Sequence, residues 1–215
     1  MILLLSGGQD STSLLFYCLD KGHRNIHAIT MDYGQTHQQE INAACCVVAV
    51  ATKNWPAANI SHEIVNIGRA ALRPKQGTDI TPARNLLFIA IAANRCGVLG
   101  ETVIGVGACL ADAAVFADCR PAFVHAATAA VSLSFTDSAT DITIMAPMIG
   151  KSKKQIIEIC GTIAGCNEAI GLSHTCYKAT DRPCMNCAAC RARAAGFKAA
   201  NTADPLWIRI SSTET

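Results

Sequence analysis

Residues 2–20 read ILLLSGGQDSTSLLFYCLD, and the fold turns on how this stretch is understood. Ile2 to Leu5 has the length and apolar character of a buried strand, and Ser11 to Asp20 that of a helix. Between them, Gly7 and Gly8 let the backbone come close to an anion. The helix start behind them offers unpaired N–H groups and the positive end of the helix dipole. A strand, a glycine loop and a helix in that order predict a parallel α/β sheet with its ligand beyond the carboxyl ends of the strands. The string is neither G-x-G-x-x-G nor G-x-x-x-x-G-K-[ST], since no lysine follows within the loop. For a glycine pair alone, a plain turn capped by Ser6 or Asp10 is the simpler alternative.

Working outward, short apolar runs alternate with helical patterns. Strands are expected at Ile26 to Met31, His62 to Ile67, Thr102 to Gly107 and Ile142 to Pro147. Helices are expected from about Gln38 to Lys53, from Pro82 onward, from Pro121 to about Ser134, and over Lys151 to Ile163. This alternation predicts a doubly wound parallel sheet with helices on both faces. Residues 1–170 read as that α/β domain, 171–200 as a cysteine-rich region ending in a helix, and 201–215 as a tail. The cysteine-rich region is too small to build its own core and needs a staple.

Composition narrows the function classes. Of 215 residues, 51% are hydrophobic and 16% charged, which suits a buried core and excludes a disordered chain. The net charge of +2 and the 5% aromatic content argue against stable nucleic-acid binding. Apolar runs such as ACCVVAVA and LLFIAIAA are far shorter than the roughly 20 residues of a membrane helix. The first residues lack the basic region and cleavage site of a secretory signal, so a cytoplasmic protein is expected.

Twelve cysteines could suggest a disulfide scaffold, but Cys18, Cys45, Cys46, Cys96, Cys109, Cys160 and Cys166 are scattered. Cys176, Cys184, Cys187 and Cys190 instead form a dense group with metal-ligand spacing. Four thiolates so close suit a closed tetrahedral Zn²⁺ site whose binding energy folds the loop. The same C-x2-C-x2-C run also suits an iron–sulfur cluster, and the spacing leaves both open.

SGGQDS resembles the signature of the PP-loop ATP pyrophosphatases of the adenine-nucleotide alpha-hydrolase-like superfamily. Taken with MDYGQTHQQE, TPARNLLFIAIAA, DAAVFADCRPAF and SHTCYKATDRPCMNCAACRARAAGF, the chain resembles the 7-cyano-7-deazaguanine synthase (QueC) family from about Ile2 to Phe197. The resemblance implies an ATP-dependent ligase that turns 7-carboxy-7-deazaguanine and ammonia into the nitrile 7-cyano-7-deazaguanine (preQ0) of queuosine biosynthesis. With no amidotransferase domain in the sequence, free ammonia is the expected nitrogen source.

Residue by residue, the resemblance places Leu5, Ser6, Gly7, Gly8, Gln9, Asp10, Ser11 and Thr12 on ATP. Asp10 would also hold Mg²⁺ or the phosphate geometry. Tyr33, Gln35 and His37 would contact adenine or ribose, with Glu40 completing the family's YGQ-x-H-x-x-E. Arg84 and Asn85 match the family's P-x-RN; a guanidinium there binds phosphate or substrate carboxylate bidentately. Asp112, Asp118 and Arg120 would meet the substrate, one aspartate accepting from the amidine-like donor edge of the base. Lys151 or Lys153 would reach the phosphates, and Asp10, Arg84 and Lys151 are the catalytic candidates.

The family spacing around Cys190, Arg193, Gly196 and Phe197 points to zinc on the four cysteines. The chain departs from the family's D-x-S-G-Y-P-D-C-R, where Ala114, Val115, Phe116 and Ala117 stand in the middle. Adenylation with release of pyrophosphate is the expected chemistry, with an ADP-forming route as its rival. A PP-loop tRNA-modifying enzyme, or a ligase for a related heterocyclic acid, is the alternative function. Homodimers are common in such enzymes.

Overall fold

The computed structural model describes residues 1–212 apart from 36–37, 77, 79, 136–140, 179 and 181. In chain order the elements are β1 (Ile2–Leu4), α1 (Gln9–Asp20), β2 (Asn25–Asp32), α2 (Gln39–Asn54) and β3 (Asn59–Asn66). Then follow α3 (Gly68–Ala71), α4 (Arg84–Leu99), β4 (Val103–Gly105), α5 (Leu110–Val115), α6 (Pro121–Ser132) and β5 (Thr143–Met145). α7 (Lys153–Cys160), α8 (Cys166–Leu172), α9 (Ala188–Ala199) and α10 (Pro205–Ser212) complete the described chain.

All strand pairs are parallel, in the order β3-β2-β1-β4-β5. The chain therefore winds outward from β1 to β3, returns, and winds outward again from β4 to β5. The reversal falls between β1 and β4, where the loops leaving the two strands part and open a crevice. Side chains alternate across the pleat. Leu3, Leu5 and Ala28 pack into the layer of α1, α2, α7, α8 and α9. Ile2, Ile29, Ile104 and Ile144 pack against α4 and α6. Burial on both faces is why the strands read as apolar runs rather than as alternating ones.

Each expected strand is present. β4 and β5 are shorter than their apolar stretches because only three residues of each join the ladder. α1 starts two residues earlier than expected, since Gly8 rather than a polar side chain stands at the cap. Four helices lie where none was expected: the short α3 and α5, in stretches read as loops, and α8 and α10. α8 packs against α2 and α10, and α10 forms within the stretch read as a tail. A Cβ at Gly171 would lie 3.2 Å from the Pro205 carbonyl, so the start of α10 rests directly on α8.

Candidate active site

The loop from Ser6 to Gly8 leaves β1 at the reversal and enters α1. Gly7 has φ +83°, and a Cβ there would fall 2.2 Å from the Glu40 carbonyl oxygen and 2.7 Å from the Ala44 nitrogen. Only glycine allows the loop to lie this close to α2. Gly107, after β4, approaches from the other side; a Cβ there would sit 2.9 Å from both the nitrogen and the Cα of Ser11. The two glycines thus fix the walls of the crevice around the amino end of α1.

No side chain caps α1, which removes the plain capped turn as an account of SGGQDS. The Ser6 and Ser11 hydroxyls lie 3.0 Å apart. Ser11 donates to the Gly8 carbonyl and Ser6 accepts from the Gly8 N–H, so both hydroxyls brace the loop. Leu5 belongs to the core, with its N–H on Ile29 and its carbonyl accepting from Thr30. By contrast, both amide atoms of Gln9, Oδ1 of Asp10 and Oγ1 of Thr12 are buried polar atoms with no partner. Such groups are costly unless something fills the site. They fit a polar ligand at this helix start.

Asp10 faces inward from the first turn of α1. Lys153, in the first turn of α7, donates its ammonium to Oδ2 of Asp10. Of the two lysines expected near the phosphates, Lys153 is the one that meets Asp10. Lys151 precedes the helix and its carbonyl accepts from Leu110, whereas Lys153 projects from α7 onto α1. Burial raises the Asp10 carboxyl while Lys153 opposes that rise. Burial works against the Lys153 charge as well, but Asp10 and its neighbours overcome it and hold the ammonium up.

Asp112 approaches from α5, whose start it caps by accepting from the Cys109 N–H at 3.2 Å. Ligand atoms of Asp10, Cys109 and Asp112 all lie within 4.8 Å of one another, a spacing that fits a cation. Burial pushes the Cys109 thiol up to about 11, so it sits there protonated.

The flank is built by β2 and α4. Gln35 is nearly buried, donates to the Met31 carbonyl and accepts from the Tyr33 N–H. Its amide thus shapes the turn after β2. Tyr33 stacks at 5.6 Å on Phe88, and Arg84 Nη1 lies 3.5 Å from the Tyr33 hydroxyl. Arg84 and Asn85 open α4 after Ala83, whose left-handed φ of +56° turns the chain into the helix. Burial pushes Glu40 up to about 8 against the pull of Arg84.

Asn85 donates to the Cys119 sulfur at 3.7 Å, and burial pushes that thiol up to about 12. Asp118 lies beside it in a 3-10 turn over Ala117–Cys119. Arg120 is exposed and donates Nε to the Ala113 carbonyl, tying α5 to the turn after it. His37, expected on the nucleotide, lies outside the described residues.

Beyond the crevice, the four expected cysteines converge with their sulfurs within 4.8 Å of one another. Backbone N–H groups of Lys178 and Cys184 point at the Cys176 sulfur, each at 3.4 Å, and that of Cys190 points at Cys187 at the same distance. Such donors stabilise thiolates. The Asn186 N–H, with others, brings Cys184 down to about 6. Met185 takes a left-handed φ of +62° to make the turn. The arrangement fits a tetrahedral metal with all four positions filled by protein.

Beside the cysteines lies a buried pair that the sequence reading did not find. Arg193 donates to both carboxylate oxygens of Asp204, at 2.6 and 2.7 Å. Its remaining donors reach the Ser173 and Thr175 hydroxyls and the Ile170 carbonyl. One signal was available. In an alanine-rich helix, Arg193 shares the stripe of Cys190 and Phe197, which marks it as buried and therefore as paired.

A five-stranded parallel sheet, an uncapped glycine loop at its reversal and a carboxylate–lysine pair beyond it define a phosphate-loop α/β enzyme. The sequence profile described as "Queuosine biosynthesis protein QueC" matches residues 1–201, and the chain belongs to this family. It is 34% identical to the 7-cyano-7-deazaguanine synthase of Archaeoglobus fulgidus, covering 95% of this chain and 88% of that one. It is 31% identical to the synthase of the same name from Gloeobacter violaceus, covering 96% and 94%. A solved structure of a 4-thiouridine synthetase, in an RNA complex with bound ATP, superposes with a TM-score of 0.52 at 16% identity. That match covers 93% of this chain and 50% of the synthetase, and speaks for the fold. Among the described residues, no helix is long and apolar enough to cross a membrane.

Proposed function

We propose that this chain converts 7-carboxy-7-deazaguanine and ammonia into 7-cyano-7-deazaguanine with ATP as the activating reagent. One observation carries the reading: an uncapped phosphate loop faces Asp10, Lys153 and Asp112 in a chain of the QueC family. A carboxylate oxygen of the substrate attacks the α-phosphorus and pyrophosphate leaves. Ammonia then adds to the activated carbon, loses a proton and expels AMP, giving the amide. The amide oxygen is adenylated in turn; loss of AMP and the remaining N–H protons leaves the C≡N bond.

The chain's own groups divide the work. Backbone N–H groups at the start of α1, with Gln9 and Thr12, hold the phosphates. Lys153 places positive charge beside them. Arg84 steadies the substrate carboxylate, and Asp112 or Asp118 accepts from the donor edge of the base. Mg²⁺ held by Asp10 and Asp112 would neutralise charge developing on the phosphates. We assign Zn²⁺ to the four cysteines in a structural role.

The wider reading is a cytoplasmic enzyme that handles small molecules, without stable nucleic-acid binding, as the net charge of +2 suggests. A homodimer is the oligomeric state that the family resemblance implies.

The test is to incubate the protein with 7-carboxy-7-deazaguanine, ammonium, Mg²⁺ and ATP, and to identify the base and nucleotide products by mass spectrometry. Nitrile with AMP is the expected result. Nitrile with ADP would keep the function and replace the adenylation route. An untouched acid would overturn the reading and direct attention to the altered stretch from Ala114 to Ala117.

A further inference from the structure

The phosphate loop and the cysteine loop meet at one peptide group. The His174 N–H donates to the Gly7 carbonyl at 2.9 Å. On the other side of the same peptide, the Gly8 N–H donates to the Ser6 hydroxyl at 3.2 Å. The His174 carbonyl lies just beyond, 3.6 Å from where a Cβ on Gly8 would sit. The plane of the Gly7–Gly8 peptide is therefore held at both ends, and it sets the direction in which the next N–H groups of α1 point.

What holds His174 in turn is the Arg193 guanidinium. It donates to Ser173 Oγ at 2.9 Å and to Thr175 Oγ1 at 3.1 Å, the residues on either side of His174. Nε and Nη2 are fixed on Asp204, and Nη2 also reaches the Ile170 carbonyl. Arg193 is 4% exposed, and its ring contact with Phe197 at 5.7 Å closes the remaining side. A planar fork held on several acceptors keeps the segment it grips in one place. Cys176 follows Thr175 directly, so the same short segment carries the first metal ligand and the strut to the phosphate loop.

We propose that Arg193 is a positioning residue for ATP: through Ser173, Thr175 and the His174 N–H it orients the Gly7–Gly8 peptide of the phosphate loop. The inference rests on the ATP-binding reading above. It adds a dependence of nucleotide affinity on a side chain held by Asp204, the Ile170 carbonyl and Phe197. Arg193→Lys keeps the charge and loses the fork, and Thr175→Val removes one acceptor without changing side-chain shape. Both are compared with the wild-type protein for binding of a fluorescent ATP analogue, zinc content and amide exchange across residues 6–12.

The expected result is zinc content unchanged, faster exchange in the loop, and a dissociation constant raised about tenfold in Arg193→Lys and a few-fold in Thr175→Val. In turnover the KM for ATP rises while kcat at saturating ATP holds. A folded Arg193→Lys protein with wild-type affinity and loop exchange overturns the proposal, even if it melts at a lower temperature. Should Arg193→Lys fail to fold, Thr175→Val decides by the same criteria. A wild-type protein that ignores ATP breaks the underlying reading along with this one, whereas unaltered binding in the variants breaks the proposal alone.

Discussion

The phosphate loop and the cysteine loop are both short turns that cannot bury themselves, and they are stabilised in opposite ways. Gly7 and Gly107 put backbone against backbone, so the phosphate loop keeps its shape through steric fit to α2 and β4. The cysteine loop has no such fit: Cys184 and Cys187 are half-buried, and their sulfurs face one another at metal-ligand spacing. The first loop is finished by the fold and presents empty donors to a ligand. The second brings four sulfurs to metal-ligand spacing and would be closed by a metal. A site meant to release its ligand each turnover is built the first way, and one meant to keep its ligand the second.

Removing a ligand from the cysteine loop tests this contrast hardest. Cys176→Ser should abolish zinc binding and lower the melting temperature by about 10 °C or more, read by metal analysis and calorimetry. Undiminished zinc would break the comparison at its root.

The reverse perturbation is Gly7→Ala. Its left-handed backbone and the 2.2 Å approach to the Glu40 carbonyl leave no room for a methyl group. A loss of about 3 kcal/mol in urea unfolding is expected, with ATP binding abolished and zinc retained. ATP binding that survives would mean the loop is not held by fit.

Two carboxylates sharpen the picture through pH. Glu40 sits under the phosphate loop, where burial pushes it up to about 8. Its folded value lies above the ordinary one, so the stability it lends is complete below about pH 4.5 and is lost as pH rises towards 8. Glu40→Gln should flatten that decline, seen as urea midpoints that no longer fall between about pH 5 and pH 8.

Glu63, on the edge strand β3, behaves oppositely. Arg95 donates to it at 2.8 and 2.9 Å and, with His27, holds it down to about 2. That stabilisation is present above the ordinary carboxylate range and lost as pH falls towards 2. Arg95→Ala should cost about 1 kcal/mol at pH 7 and almost nothing near pH 2, because the pair is partly solvated. This smallest effect serves as the control, since neither loop should notice it.

How much of this was legible in the sequence follows from how local each feature is. The strand–loop–helix start could be read because apolar run, glycine pair and helix adjoin within nineteen residues. The cysteine group was legible because its ligands lie within fifteen residues of one another. The choice of Lys153 over Lys151 depends on where α7 begins, and helix boundaries are the least certain part of any periodicity. Arg193 and Asp204 belong to a helix and a loop whose pairing no local pattern announces. α10 is short and follows an interrupted helical stretch, so its apolar Leu206 and Ile210 read as a tail until α8 is there to receive them.

The strand order also sets a timetable. Ile2 pairs with His27 on one side and with Ile104 on the other. On an emerging chain, the first of these seams can close once Asp32 has been made, but the second must wait for Gly105. The phosphate loop is thus made well before Gly107, its second wall. A nucleotide bound at that loop would add its stabilisation to the sheet with both seams closed.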